Sequence, residues 1–211
     1  MTADGRGRFI TFEGGEGAGK STQLRLLADR LRETGLNVLT TREPGGSDGA
    51  EEIRALLVSG ATDRWDAVTE ALLHTAARRD HLRAVVWPAL AAGTWVLCDR
   101  FVDSTFAYQG YGHGMDRNIL SGLTRLAIGD FAPDLTLVLD IPVEEGLRRA
   151  GAREGGEDRY ERMGRDFHQR LRTGFTTIAR DNPDRCALLD ASGTAKAVEA
   201  AIWAIVAERL G

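Results

Sequence analysis

One stretch near the start of the chain has the residue types and spacing that hold nucleotide phosphates. It reads Gly14-Gly15-Glu16-Gly17-Ala18-Gly19-Lys20-Ser21 and fits the pattern G-x-x-x-x-G-K-[ST]. In this pattern backbone N–H groups wrap the phosphates, the lysine reaches the β and γ oxygens, and the hydroxyl binds a magnesium ion. With 25 glycines in 211 residues, a merely glycine-rich turn is the alternative. The expected ATP-binding residues are Gly14, Gly15, Glu16, Gly17, Ala18, Gly19, Lys20, Ser21 and Thr22.

The sequence on either side of this loop favours the phosphate site. The apolar run Phe9 to Glu13 precedes it, and Leu24, Leu27 and Leu31 follow at helical spacing. A strand before the loop and a helix after it are the setting that such a phosphate loop requires.

A second group of chemistry-bearing residues follows another apolar run. Trp95 to Cys98 ends directly in Asp99 and Arg100. A carboxylate at that strand end would hold magnesium together with Ser21, and Arg100 would project into the crevice where ligands of open α/β sheets bind. A planar guanidinium can grip a phosphate with two hydrogen bonds. A surface salt bridge at a strand end is the alternative.

Further arginines stand on predicted helices and in a charged, glycine-rich segment. Arg54, Arg78 and Arg79 are each, taken singly, more often solvated than ligand-binding. The segment from Gly151 to Gly164 contains almost no apolar residue, so it contributes little to a core. It is either a solvated loop or a mobile lid that brings an arginine to the transferring phosphate.

The elements that must position these residues alternate between short apolar runs and longer helical patterns. This alternation predicts an α/β fold with a parallel five-stranded sheet flanked by helices, in one domain over residues 1–211 with a lid at 151–164. The predicted strands are Phe9 to Glu13, Asn37 to Thr41, Trp95 to Cys98, Leu135 to Leu139 and Ala187 to Leu189. The predicted helices are Ser21 to Thr34, Glu51 to Ser59, Ala67 to Ala92 with a kink or an end at Pro88, Arg117 to Gly129, Val143 to Ala152, Arg165 to Asp181 and Thr194 to Leu210.

Composition limits the classes of partner and the compartment. The net charge of −4 gives no general attraction for nucleic acid, so anionic ligands must meet a local basic site. The two cysteines, Cys98 and Cys186, lie far apart in apolar runs, which predicts buried free thiols. No signal peptide and no apolar run long enough to span a membrane is evident, so we expect a cytoplasmic protein without a membrane partner.

Taken together, these residues resemble the thymidylate kinase family. The resemblance covers nearly the whole chain and is specific, because a generic phosphate-loop kinase would share only the first loop and an acidic strand end. It runs through Phe12-Glu13-Gly14, the phosphate loop, Thr41-Arg42-Glu43-Pro44-Gly45-Gly46, Ala76-Ala77-Arg78, Asp99-Arg100, Ser104-Thr105, Ala107-Tyr108-Gln109-Gly110, Pro133-Asp134-Leu135-Thr136 and Asp158-Arg159.

The resemblance implies a homodimeric enzyme with this nucleoside monophosphate kinase fold, which moves the γ-phosphoryl of ATP to dTMP with Mg²⁺ on Ser21 and Asp99. It implies that Lys20, Arg100 and a lid arginine are catalytic. It also implies that the long helix beginning at Ala67 and the helix at Arg117 to Gly129 supply the subunit contacts. The implied dTMP-binding residues are Glu16, Glu43, Arg54, His74, Arg78, Arg100, Thr105, Tyr108 and Gln109.

The individual roles come from the same resemblance. Glu16 matches a glutamate that accepts a hydrogen bond from the sugar 3′-hydroxyl, and Tyr108 matches an aromatic that disfavours a 2′-hydroxyl. Thr105 and Gln109 match contacts to the thymine edge. The bacterial branch of the family takes its catalytic arginine from the lid instead of the phosphate loop, where Ala18 stands at the corresponding position.

Two features leave a choice open. Of Arg149, Arg153 and Arg159, we choose Arg153 as the lid arginine, because Arg149 belongs to the preceding helix. His74 stands where the family usually has a phenylalanine that stacks on thymine. We predict stacking by His74, with weaker base affinity below the usual histidine pKa of about 6.5.

Two other functions remain as alternatives. A different nucleoside monophosphate or deoxynucleoside kinase would use the same loop, Asp99 and lid. It is disfavoured because Thr105 and Gln109 suit a pyrimidine with a free imide edge. A regulatory nucleotide switch would need no acceptor-site arginines, and the sequence lacks an Asn-Lys-x-Asp guanine-reading segment.

Overall fold

The computed structural model describes residues 6–151 and 159–211. Within these ranges five parallel strands form one sheet in the order β2-β3-β1-β4-β5. Their bounds are Phe9–Glu13 (β1), Val38–Arg42 (β2), Trp95–Asp99 (β3), Leu135–Asp140 (β4) and Cys186–Asp190 (β5). The predicted sheet is confirmed, and each predicted strand overlaps one observed strand.

Helices connect the strands. Their bounds are Lys20–Glu33 (α1), Asp48–Leu57 (α2), Ala67–His81 (α3), Trp87–Ala91 (α4), Val102–Thr105 (α5), Arg117–Ile128 (α6), Val143–Ala150 (α7), Arg165–Asp181 (α8) and Ala195–Leu210 (α9). Two π-helical segments, Leu82–Val86 (π1) and Phe106–Gly112 (π2), continue α3 and α5.

Apolar side chains cover both faces of the sheet, as expected for parallel strands buried between helices. On one face Ile10 and Phe12 pack with residues of α1 and α9. On the other, Phe9 packs with Leu82 and Leu90, which lie in π1 and α4. The sheet is therefore the middle layer of three, and the carboxyl ends of its strands all open toward one edge.

Pro88 interrupts the regular helical bonding, as predicted. The backbone N–H of Trp87 donates to the carbonyl of Leu82, five residues back, and this wider turn directly precedes the proline. Proline has no backbone N–H, so Pro88 cannot donate a regular helical hydrogen bond. The π-helical turn lies directly before this missing bond.

One helical stretch was not predicted from the sequence. Residues 102–112, which form α5 and π2, carry three of the predicted site residues, Thr105, Tyr108 and Gln109. Gly110 and Gly112 weaken the helical pattern there, and the stretch is supported by packing against α8, α3 and α6.

Two other expectations concern the cysteines and the membrane. Cys98 and Cys186 are buried free thiols, as predicted. Among the described residues no helix combines the length and the apolar character needed to cross a bilayer.

Candidate active site

The phosphate loop between β1 and α1 depends on glycine where backbones approach closely. Gly17 has φ of 67°, and a Cβ there would lie 1.9 Å from the carbonyl oxygen of Gly146 in α7. Gly14 has φ of 134°, and its Cβ would lie 2.3 Å from the carbonyl oxygen of Leu139 in β4. Only glycine fits both the dihedral and the contact, so the loop is locked against β4 and α7.

Lys20 and Ser21 begin α1 beneath this loop. The Nζ atom of Lys20 donates to the carbonyls of Gly14 and Gly15, at 3.1 and 2.8 Å. Ser21 Oγ donates to Asp99 Oδ2 at 2.5 Å, which joins the start of α1 to the end of β3. Mg²⁺ prefers oxygen ligands and is usually held by one or two protein groups together with water and phosphates. The donor set of Ser21 and Asp99 fits that ion.

The environment of Lys20 gives a pH prediction. Burial, reinforced by Arg100, lowers the pKa of Lys20 to about 8, despite the opposing effect of Glu16. The profile of kcat/KM for ATP reports groups of the free enzyme, so we expect it to fall as the pH rises through about 8. The profile of kcat should lack this step, since bound phosphates favour the charged amine. A kcat/KM that stays level to about pH 9.5 would contradict the lowered pKa.

Arg100 connects the phosphate loop to a second group of side chains. Its φ is 71°, a conformation that non-glycine residues rarely adopt. The guanidinium donates to the carbonyl of Gly14 at 3.0 Å, to Ser104 Oγ at 3.2 Å and to Glu16 Oε1 at 3.0 Å. Tyr108 also donates to Glu16, at 2.5 Å. Although burial opposes ionisation of Glu16, Arg100, Lys20 and Tyr108 together lower its pKa to about 2, so it is a carboxylate at neutral pH.

Arg78 is held in a buried ion pair. Its Nε donates to Glu43 Oε2 at 2.7 Å, and Nη2 donates to Thr105 Oγ1 at 3.0 Å and to the carbonyl of Phe101 at 3.1 Å. His81 Nδ1 lies 3.1 Å from the other oxygen of Glu43. Glu43 therefore positions Arg78, because both partners are nearly inaccessible to water.

These groups surround one cavity of about 670 Å³, its open mouth included. We call it the central cavity. It lies at the carboxyl ends of the strands, where open α/β sheets bind ligands. Its lining contains every residue predicted to bind dTMP, namely Glu16, Glu43, Arg54, His74, Arg78, Arg100, Thr105, Tyr108 and Gln109, together with Pro44, Val58, Phe101, Ser104, Tyr160 and Glu161.

His74 lies in the wall of the central cavity, with Nε2 at 3.1 Å from the hydroxyl oxygen of Tyr160. Burial, then the charges of Arg78 and Arg100, lower its pKa to about 3. The predicted loss of affinity below pH 6.5 is therefore wrong, because the ring stays neutral through that range. Stacking on thymine remains a prediction.

The neutral ring can be tested against a His74→Phe variant. The dTMP phosphate itself titrates near pH 6, but that effect is common to both proteins. We expect the ratio of their KM values for dTMP to stay constant from about pH 5.5 to about pH 7.5. A ratio that changes through the usual histidine range would contradict the lowered pKa.

The three arginines of the predicted lid region differ in position and in hydrogen-bond partners. Arg149 belongs to α7, as predicted, and pairs with Glu145 at 2.8 Å. Arg159 is fully buried, paired with Glu70 and bonded to the carbonyls of Leu57, Ala61 and Thr62. Its expected availability for the transferring phosphate is therefore wrong. Arg153, our choice for the catalytic arginine, lies outside the described residues, as does Asp158.

The correspondence of Ala18 to a loop arginine of other family members stays a prediction from the resemblance. Ala18 is buried in the core beneath the sheet, so a side chain there faces the core. At Gly17, a Cβ atom would collide with the backbone carbonyl of Gly146. The loop still contains no arginine.

Sequence reasoning missed several residues that position the predicted ones. Glu13 accepts bonds from the backbone N–H of Phe101 at 2.8 Å and from Ser104 Oγ at 2.6 Å, which fixes the start of α5. Burial and the nearby Asp103 raise the pKa of Glu13 to about 8. Glu70 and Tyr160 lie beside the central cavity. The sequence did offer a signal for Glu70, because a carboxylate within the apolar stretch of α3 indicates a buried, paired acid.

The phosphate loop and the central cavity meet at Glu16 and Arg100, so one edge of the sheet offers adjoining places for a phosphoryl donor and an anionic acceptor. This arrangement defines a phosphate-loop kinase that acts on a nucleotide. The chain belongs to the thymidylate kinase family, since the family model described as thymidylate kinase matches residues 12–202.

Individual relatives agree along the whole chain. A thymidylate kinase of Caulobacter vibrioides is 57% identical over 206 residues, which cover 98% of this chain and 99% of that protein. A thymidylate kinase of Bradyrhizobium sp. is 55% identical, with 98% and 92% coverage. The crystal structure of thymidylate kinase from Ehrlichia chaffeensis superposes with a TM-score of 0.76 at 36% identity, covering 95% of this chain and 99% of that one.

Proposed function

We propose that this chain transfers the γ-phosphoryl group of ATP to dTMP, giving ADP and dTDP, and that the predicted residues perform the roles assigned to them. The observation that carries the assignment of roles is the convergence of the nine predicted dTMP-binding residues on the central cavity. These residues come from the phosphate loop, the β2–α2 loop, α2, α3 and residues 100–109, so one cavity gathers distant parts of the chain.

The reaction needs no covalent intermediate on the protein. An oxygen of the dTMP phosphate attacks the γ-phosphorus in line, and catalysis is mainly positioning and neutralisation of charge. Lys20 and the loop N–H groups hold the donor phosphates, whereas Arg78 and Arg100 hold the acceptor phosphate. Mg²⁺ at Ser21 and Asp99 would supply positive charge to the donor oxygens. A lid arginine, Arg153 by our choice, covers the migrating group.

Glu16 and Tyr108 give a physical reason for a deoxynucleotide acceptor. A carboxylate beside a phosphate loop would repel ATP unless another ligand used it, and the sugar 3′-hydroxyl can donate to it. Tyr108 is buried against Tyr160, Phe167 and Phe175. Its ring therefore has little freedom to move away from an added 2′-hydroxyl.

The substrate assignment is tested by a coupled assay of ADP formation with each nucleoside monophosphate in turn. We expect the highest kcat/KM with dTMP. Equal values for uridine and thymidine monophosphates would overturn the choice of acceptor, and preference for a purine or a nucleoside would favour the alternative kinase.

We also propose that the enzyme is a homodimer that pairs through α3 and α6. Both helices expose large apolar side chains at spacings that share a face, Val68 and Leu72 on α3 and Ile119 and Leu126 on α6. Leu126 is 82% exposed in the single chain. Exposed apolar groups gathered on neighbouring helices are typical of a protein contact surface.

A charge on this surface should dissociate the dimer. We expect Leu126→Glu to sediment as a monomer at micromolar concentration, because the carboxylate would be buried without a partner. Leu26→Glu on α1, where the side chain is 37% exposed, is the matched control and should stay dimeric. A dimeric Leu126→Glu protein would place the interface elsewhere.

We place this activity in the cytoplasm, since both cysteines are free thiols, as is usual for proteins of a reducing compartment.

A further inference from the structure

Glu70 lies on α3 beside the central cavity and is completely buried. Its carboxylate is paired with Arg159, which is equally buried. It also accepts a hydrogen bond from Gln109 Nε2 at 3.0 Å and one from the hydroxyl of Tyr160 at 3.3 Å, and His113 Nε2 lies 3.6 Å away. Each of these four neighbours among the described residues can therefore donate to Glu70.

The hydrogen bond between Glu70 and Gln109 determines how the side-chain amide of Gln109 is oriented. A carboxylate paired with a guanidinium can only accept hydrogen bonds, whereas a glutamine amide has one accepting end and one donating end. The NH₂ group of Gln109 must therefore turn toward Glu70. The other end, Oε1, is buried and has no hydrogen-bond partner among the residues that the structure describes.

Gln109 also lines the central cavity. Leaving a buried carbonyl without a partner is unfavourable, and a hydrogen bond from a ligand N–H would remove that cost. The imide N3–H of thymine or uracil is such a donor. The N3 atom of cytosine accepts hydrogen bonds, so it would meet Oε1 as a second acceptor.

We propose that Glu70 is a specificity-determining positioning residue, which fixes the Gln109 amide with its carbonyl toward the base and so selects a pyrimidine with an N3–H donor. Glu70 acts through Gln109 and does not touch the nucleotide. Arg159 supports it through the buried ion pair with the carboxylate. This inference rests on the proposed function, because it assumes that a pyrimidine base occupies the central cavity.

The probe is a pair of nucleotides that differ only at the base edge, dTMP and 5-methyl-dCMP. They share the 5-methyl group, the sugar and the phosphate, but they exchange donor for acceptor at N3 and acceptor for donor at position 4. Calorimetry gives Kd for each with the wild-type protein. We expect dTMP to bind on the order of 10²-fold more tightly. A site that accepts a hydrogen bond from N3–H binds poorly to a base whose N3 is itself an acceptor. Equal affinities would overturn the inference without any variant.

The decisive variant is Glu70→Gln, which keeps the shape of the side chain but can either donate or accept a hydrogen bond. The Gln109 amide is then free to rotate, so we expect the ratio of the two Kd values to fall by about 10-fold or more. A folded variant with an unchanged ratio would overturn the proposal. His113→Asn is the matched control: it changes a different neighbour of Glu70, outside the lining of the central cavity, and the ratio should stay within about three-fold of wild type.

Loss of the ion pair could instead unfold the single variant, because Arg159 would remain buried without its partner. The double variant Glu70→Gln with Arg159→Gln removes both charges together, and the same fall in the ratio is expected. An unchanged ratio in the folded double variant would overturn the proposal. Turnover of dTMP by the wild-type enzyme is measured separately, so that failure of the proposed function is distinguished from failure of this inference.

Discussion

The Arg153→Ala variant is expected to lose on the order of 10³-fold or more in kcat, because an arginine that covers a transferring phosphoryl group stabilises charge mainly in the transition state. KM values for ATP and dTMP should change only a few-fold, since the interaction lost is weak in the ground state. Steady-state kinetics with both substrates varied gives these values. The structure sharpens this prediction by engaging Arg159 with Glu70 and three backbone carbonyls.

Two neighbouring arginines complete this test, Arg148 as the control and Arg149 as the other candidate. Arg148 is largely exposed and pairs with Glu145 one turn away, so Arg148→Ala should retain kcat within about two-fold. Arg149→Ala tests the other candidate, whose guanidinium also faces the carbonyls of Ala191 and Ser192. If kcat falls sharply for Arg149→Ala and not for Arg153→Ala, the catalytic role belongs to Arg149.

The second large effect is expected for Arg100→Met. Arg100 contacts Glu16, Ser104 and the phosphate loop, and Arg78 stands in the same cavity. Each hydrogen bond from a guanidinium to a charged group such as the dTMP phosphate contributes about 1.5–3 kcal/mol. We therefore expect kcat/KM for dTMP to fall by about 10²-fold or more, mainly through KM, in a coupled ADP-formation assay.

A double variant separates two explanations for that loss. If Arg100 merely offsets the charge of Glu16, then Arg100→Met combined with Glu16→Gln should reach the kcat/KM of Glu16→Gln alone. If Arg100 grips the dTMP phosphate, thermal stability should recover while KM for dTMP remains high. Recovery of kcat/KM to within a few-fold of the Glu16→Gln single variant would contradict the binding role.

The sheet and the nucleotide-facing loop were predictable because their signals are local. A run as short and apolar as Leu135 to Leu139, placed between longer helical patterns, is typical of a buried parallel strand. The phosphate loop needs its glycines at fixed positions, and Gly17 shows why: the backbone of α7 occupies the place of a side chain. Both the strands and the phosphate loop can therefore be predicted from residue types and their spacing.

The partners of the site residues were not predictable, because they come from distant parts of the chain. Arg159 looked like a lid residue in a charged segment, yet it is fully buried against Glu70 and the α2–α3 loop. His74 looked like an ordinary histidine, but burial among arginines lowers its pKa to about 3. Residues 102–112 were not recognised as helical, because tertiary packing against α8, α3 and α6 compensates for their glycines.

The central claim is that this chain moves a phosphoryl group from ATP to dTMP, and transfer of label measures it directly. The purified protein is incubated with Mg²⁺, ATP labelled at the γ-phosphate and unlabelled dTMP, and the products are separated. The account predicts that the label appears in dTDP in step with ADP formation and that omission of dTMP abolishes both. Label released only as inorganic phosphate, or ADP formed at the same rate without dTMP, would contradict it.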